Sequence, residues 1–309
     1  NSFGVIRNYF TSLVWNEYIV KTEISRTFIG AGIKVALLLL QAPLLWFCVA
    51  MLFDTILIAG GYFVSYLRQV GTIRKWQFNK AIAIYLIKQS VPLLLSGAAV
   101  VVYQKIDQVM IGNMINKEAV SFYSIAGRFV EICIFIPTIL SQTITPILVK
   151  TYATNEQHYI AKSQLFMNIT IWGTILLCIV VCLCAPILIK YTFGQQYLQA
   201  IPILQIMVFK VIGLAYAQVT GTMIIIEKKQ KYVVIRNLIG CGICICLNFV
   251  LLPLYDVIGA AVASVITALC TGYFAHAFIP MFRPYFRMQT QCLLSGWKDW
   301  KFITFLKNK

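Results

Sequence analysis

Seven charged residues stand inside or at the edge of long apolar runs: Lys34, Asp54, Lys105, Asp107, Arg128, Glu131 and Lys210. A charge at the centre of a bilayer costs about 2.5–3.5 kcal/mol or more, so such residues face protein or water and are rarely idle. Two kinds of chemistry are open to them. Opposite charges can hold neighbouring helices together, and a buried acid such as Asp54 or Glu131 can carry a coupling proton. Lys105 and Asp107 lie in "YQKIDQVMIGNMI", just before a turn expected near Asn116. Arg128 and Glu131 follow on the next helix as i, i+3 neighbours that share a face. This spacing allows Asp107 to pair with Arg128 and Lys105 with Glu131, so Lys105 and Asp107 are read as structural. Lys34 and Lys210 have no acid within one helical turn, and their mid-span positions leave little scope for snorkelling to the interface.

The elements that must position these charges are membrane spans. The chain has 309 residues, 60% hydrophobic and 12% charged, with a mean hydropathy of +0.81. Soluble domains carry about 25% charged residues. A span needs about 20 apolar residues, and such runs occur at 24–42, 44–67, 84–112, 119–146, 164–189, 199–226, 232–252 and 257–282. Of the 26 lysines and arginines, 20 fall in segments 1–26, 68–88, 150–163, 227–236 and 283–309, which alternate along the chain and so share one side of the runs. The opposite side holds only Lys117 and Lys190. By the positive-inside rule the basic segments, with both ends of the chain, are expected in the cytoplasm. The net charge of +16 is thus a topology signal, and nucleic acid is not expected as a partner.

Other chemistries find little support. Cys48, Cys133, Cys178, Cys182, Cys184, Cys241, Cys244 and Cys246 lie in apolar runs as small lipid- or helix-facing residues, and "CGIC" at 241–244 has redox spacing without a redox context. His158 and His276 are too few and too far apart for a metal site, and no phosphate-binding G-x-x-x-x-G-K-[ST] loop occurs. Neither metal nor cofactor is expected.

An internal repeat organises the runs. Residues 21–44 match residues 231–254 at a constant offset of 210, including Lys21/Lys231, Arg26/Arg236, Gly30/Gly240, Gly32/Gly242 and Pro43/Pro253. One residue further on, "GYF" at 61–63 recurs at 272–274. The first helix pair is read as a copy of the last, in the same orientation, with four helices between them. A six-helix unit would then place four further helices before residue 1. Transporters built from repeats hold substrate between the two halves.

"IDQVMIG" (106–112), "FYSIAGRFVE" (122–131), "FIPTILSQTITP" (135–146), "FGQQY" (193–197) and "LNFVLLPLYDVIGAAVASVIT" (247–267) together resemble, in order and spacing, the bacterial O-antigen and polysaccharide-repeat flippases. These belong to the multidrug/oligosaccharidyl-lipid/polysaccharide exporter superfamily. Asp256 stands where that family usually has Gly. The resemblance implies an all-α, polytopic membrane helix bundle of two lobes, N-terminally truncated to about eight transmembrane helices. Residues 1–75 would be the last two helices of the N-terminal lobe, 76–285 a six-helix C-terminal lobe, and 286–309 a basic cytoplasmic tail. It implies a non-enzymatic flippase in the bacterial inner membrane. Polyprenyl-pyrophosphate-linked oligosaccharide would cross from the cytoplasmic to the periplasmic leaflet for O-antigen or capsule, with the polysaccharide polymerase machinery as a further partner. Lys34, Lys210 and Arg128 would then line the central cavity against the pyrophosphate, with Asp54 and Glu131 as coupling acids. A drug exporter of the same fold would favour acids over lysines in its cavity. A polymerase or ligase would carry a large periplasmic loop, which the runs leave no room for.

Overall fold

The computed structural model describes residues 4–12, 15–71, 79–229 and 231–298, with helices joined by short turns and no strand among the described residues. Hydrocarbon demands this, because without water each backbone N–H and C=O must be satisfied within its own segment. The chain divides into two units, residues 1–85 and 86–309.

The first unit contains α1 (Gly4–Ser12), α2 (Asn16–Leu39) and α3 (Leu44–Gln69). Pro43 caps α3 in an extended conformation, one position before the first turn, where its missing N–H costs no helical bond. Ile6 and Phe10 of α1 pack with Ile19 of α2 and Tyr62 of α3 in a small core. The two long helices approach closely through glycine. A Cβ on Gly30 would lie 2.1 Å from Asp54 Oδ1, and one on Gly61 would lie 2.4 Å from Thr22 Cγ2. Lipid tails are as apolar as leucine, so such close packing, rather than burial from water, holds helices together within the bilayer.

The second unit runs from within α4 (Lys80–Met114) through α5 (Lys117–Thr154), α6 (Glu156–Phe193), α7 (Ala200–Met207), α8 (Lys210–Ile226) and α9 (Lys231–Leu269). A π-helical turn (Cys270–Phe274), α10 (Ala275–Phe278) and α11 (Arg283–Ser295) follow. Asparagines set two of its corners. Asn116 Oδ1 accepts from Ala119 N–H at 2.7 Å, and Asn155 Oδ1 from His158 N–H at 3.1 Å. Each satisfies a donor of the first turn that has no partner within its helix. Glu118 and Glu156 add charge favoured by the helix dipole. The expected span at 199–226 is two helices, interrupted at Val208 and Phe209.

The last two expected spans follow one another directly, the helix breaking at Tyr255 and Asp256. Asp256 has φ 48° and ψ −139°, a conformation that favours glycine, so glycine is the easier residue at this turn. Beyond it the chain doubles back tightly: a Cβ on Gly259 would meet Leu251 O at 2.1 Å. α8 crosses the π-helical turn at Gly213 and Gly272, where a Cβ on Gly272 would lie 2.0 Å from Gly213 O.

Five helices among the described residues are long and apolar enough to cross a membrane: 44–69, 117–154, 156–193, 200–226 and 233–278, the last containing the break. α2 is long enough but carries Lys21, Glu23, Arg26 and Lys34 along its length. The protein is a multi-pass membrane protein.

Candidate functional site

α4 brings Asp107 to the interior of the second unit, where its side chain is 1% exposed. Three donors reach it. Tyr123 Oη on α5 donates to Oδ2 at 2.7 Å, Asn248 Nδ2 on α9 donates to Oδ1 at 2.7 Å, and Cys244 Sγ, one turn earlier, donates to Oδ1 at 3.0 Å. Lys210, the first residue of α8, places its Nζ 3.9 Å from Oδ2, with its side chain 8% exposed. A cation at a helix N-terminus opposes the dipole, so this lysine needs the carboxylate. Three donors and an ammonium fill most of the acceptor sites of an ionised Asp. Four helices are thereby tied to one side chain. Asn248 Oδ1 is buried without a hydrogen-bond partner among the described residues.

The expected pair of Asp107 with Arg128 is therefore not formed. Arg128 lies five residues beyond Tyr123, which turns it about 140° around α5, so the face that gives Tyr123 to Asp107 directs Arg128 elsewhere. Its Nη1 instead contacts Glu131 at 3.1 Å on its own helix, with the arginine side chain 74% exposed. Lys105 Nζ reaches Glu131 at 3.7 Å, the pairing that the spacing suggested. Lys210 has an acid after all, contributed by α4, and is sealed by its neighbours instead of facing water.

Lys34 also finds an acid on another helix. Its Nζ lies 2.5 Å from Asp54 Oδ2, with the lysine 41% and the aspartate 13% exposed. Gly30, one turn before Lys34, leaves the space that Asp54 occupies. Asp54 Oδ1 is buried and has no hydrogen-bond partner among the described residues. The two residues read separately as a cation and a coupling acid are thus one pair.

Tyr123 and Asn248 were not singled out by the sequence, and Cys244 only as part of the "CGIC" spacing, not as a partner of a carboxylate. Asn248 gave a signal, an amide in an otherwise apolar run. Cys244 gave none, since a thiol in such a run ordinarily faces lipid or another helix.

A second polar centre joins the ends of three elements. Glu227, just after α8, accepts from Tyr285 Oη of α11 at 2.6 Å and from Tyr159 Oη of α6 at 3.2 Å. Lys229 Nζ donates to it at 2.5 Å and stands 5.7 Å over the Tyr285 ring. Burial and then the bond to Glu227 push the Tyr285 hydroxyl well above the usual tyrosine range. It therefore remains a donor. No group of three or more His, Cys, Asp or Glu able to hold a metal occurs among the described residues.

An all-helical, multi-pass bundle with carboxylate-paired cations inside its spans defines the class. Residues 11–202, more than half of the chain, match the family described as polysaccharide biosynthesis protein; the chain belongs to that family. No curated protein matches it. Among solved structures it is similar to "Lipid II flippase MurJ, inward closed conformation", at 14% identity and a TM-score of 0.56. The match covers 93% of this chain and 59% of that one. The likeness is one of fold, and the chain spans about three-fifths of the length of that protein. The resemblance read from the sequence holds at the level of family and fold.

Proposed function

We propose that the protein moves polyprenyl-pyrophosphate-linked oligosaccharide units from the cytoplasmic to the periplasmic leaflet of the bacterial inner membrane, as a transporter supplying surface polysaccharide such as O-antigen or capsule. Family membership and the flippase-like fold support this reading. The observation that carries it is the Lys34–Asp54 pair, in which the cation is 41% and the acid 13% exposed. The lysine is presented outward on a tether that an anionic group can replace. Arg128, more exposed still on Glu131, is a second cation of the same kind. In this mechanism a cargo phosphate displaces the carboxylate, and the freed Asp54 or Glu131 takes up a proton, so that each pair serves both binding and coupling. Lys210 joins them only in a state in which Asp107 releases it.

The test replaces Lys34 in a full-length protein. Lys34→Gln is expected to leave membrane abundance near normal, lower surface polysaccharide and build up lipid-linked units on the cytoplasmic leaflet. Lys34→Arg is expected to retain more export, since the charge survives a change of geometry. Normal export by the glutamine variant would refute the exchange mechanism.

A further inference from the structure

A cavity of about 540 Å³ opens between α2 and α3 in the first unit, within the range of small-molecule sites, roughly 300–1,000 Å³. It is polar at one end and apolar at the other. Lys21, Ser25, Arg26 and Ser65 lie toward the helix ends assigned to the cytoplasm, with Ile29 and Ile56 deeper. From Lys21 to Ile29 is about 12 Å along the helix axis.

The charges at the polar end are unequal. Lys21 Nζ is held by Glu17 at 2.6 Å, and the neighbouring Glu23 is engaged by Arg7 at 3.4 Å and by Tyr62 Oη at 2.9 Å. Arg26 has no ion-pair partner among the described residues, and its Nε is buried without a hydrogen-bond partner. A buried, unmatched guanidinium donor at the mouth of an apolar slot calls for an acceptor that brings a hydrocarbon tail with it.

We propose that this cavity binds one anionic membrane phospholipid from the cytoplasmic leaflet, its phosphodiester on Arg26 and the start of its acyl chain along Ile29 and Ile56. The charge count selects the class. With Lys21 and Glu23 each neutralised by a partner, the lining offers one uncompensated positive charge, which suits a singly charged phosphodiester better than a diphosphate. This site is independent of the cargo reading above.

Gly60 provides a clean obstruction, since nothing lies within 4 Å of a Cβ placed there. Gly60→Leu therefore starts its side chain in open space within the cavity and obstructs the slot. The purified chain, delipidated in detergent, is titrated with phosphatidylglycerol and, separately, phosphatidylcholine, and adducts are counted by native mass spectrometry. One phosphatidylglycerol is expected to bind at least about tenfold more tightly than phosphatidylcholine. Arg26→Gln is expected to weaken it by about tenfold, the worth of one charge-assisted hydrogen bond. Gly60→Leu is expected to abolish the adduct with the thermal midpoint unchanged. Equal binding of the two lipids, or wild-type binding by both variants, overturns the proposal. So does displacement by millimolar inorganic phosphate, which would leave the apolar half without a role. Displacement by a polyprenyl diphosphate at concentrations equal to phosphatidylglycerol or lower would assign the site to a cargo-type lipid and likewise overturn it.

Discussion

The Asp107 centre makes an asymmetric demand on its two charges. Among the described residues Asp107 has three hydrogen-bond donors besides the ammonium, whereas the only charge partner of Lys210 is a carboxylate 3.9 Å away. At that distance the attraction is about 4 kcal/mol for an effective dielectric of about 20, against a desolvation penalty of several kcal/mol per buried ion. Asp107→Asn strands a buried ammonium and turns an amide N–H toward groups that are themselves donors. It is expected to lower stability by about 3–5 kcal/mol. Lys210→Met removes the expensive ion and leaves the carboxylate with its three donors, at an expected loss of about 1–2 kcal/mol. The double variant should lie well above the sum of its singles, because neither charge is then stranded. Thermal unfolding of the purified protein in detergent, with folded abundance in the membrane as a second reading, measures all three. If Lys210→Met is as damaging as Asp107→Asn, or the double variant equals the sum, the two side chains are not a coupled pair and this reasoning is wrong.

Single cysteines in a cysteine-free background, at Gln195 and at Lys229, are expected to label from opposite faces of the membrane, the first in intact cells and the second only after permeabilisation; labelling of both from one face would overturn the topology. The Glu227 centre gives a pH dependence. The folded-state pKa of Tyr285 is raised, so its contribution is fully present below about pH 10, where unfolded tyrosine ionises. It is lost as pH rises further, because the unfolded state releases a proton that the folded state retains. The thermal midpoint of the wild type should therefore fall above about pH 10 more steeply than that of Tyr285→Phe, and parallel curves would refute this account.

The helices were legible because apolar length and polar turns are local properties. Even the break after Pro253 was visible, and Asp256 marked a position whose backbone, at φ 48°, explains the usual glycine. The interruption at Val208 and Phe209 was not, since neither residue is a helix breaker and the run stays apolar through it. The charges themselves were equally plain, but their partners were not. Periodicity says which residues share a face of one helix, not which helices adjoin. Asp107 was matched to the helix next in sequence, whereas its cation comes from α8 and two of its donors from α9. Lys34 looked isolated for the same reason. Its acid is 20 residues away on α3, admitted by a glycine whose role is steric and leaves no chemical mark.

The offset that relates the two helix pairs aligns Lys34 with Cys244. In one copy that position supplies a full positive charge to Asp54; in the other it supplies a weak thiol donor to Asp107, whose cation arrives from α8. If one ancestral pair gave rise to both, the acidic partner and its counter-charge have migrated to different helices in the two descendants while the glycine scaffold stayed in register. Exchanging the residues, lysine at 244 and cysteine at 34, would then crowd a second ammonium against Lys210 and leave Asp54 bare. The sequence pattern repeats at this position; the charge that the residue there must meet does not.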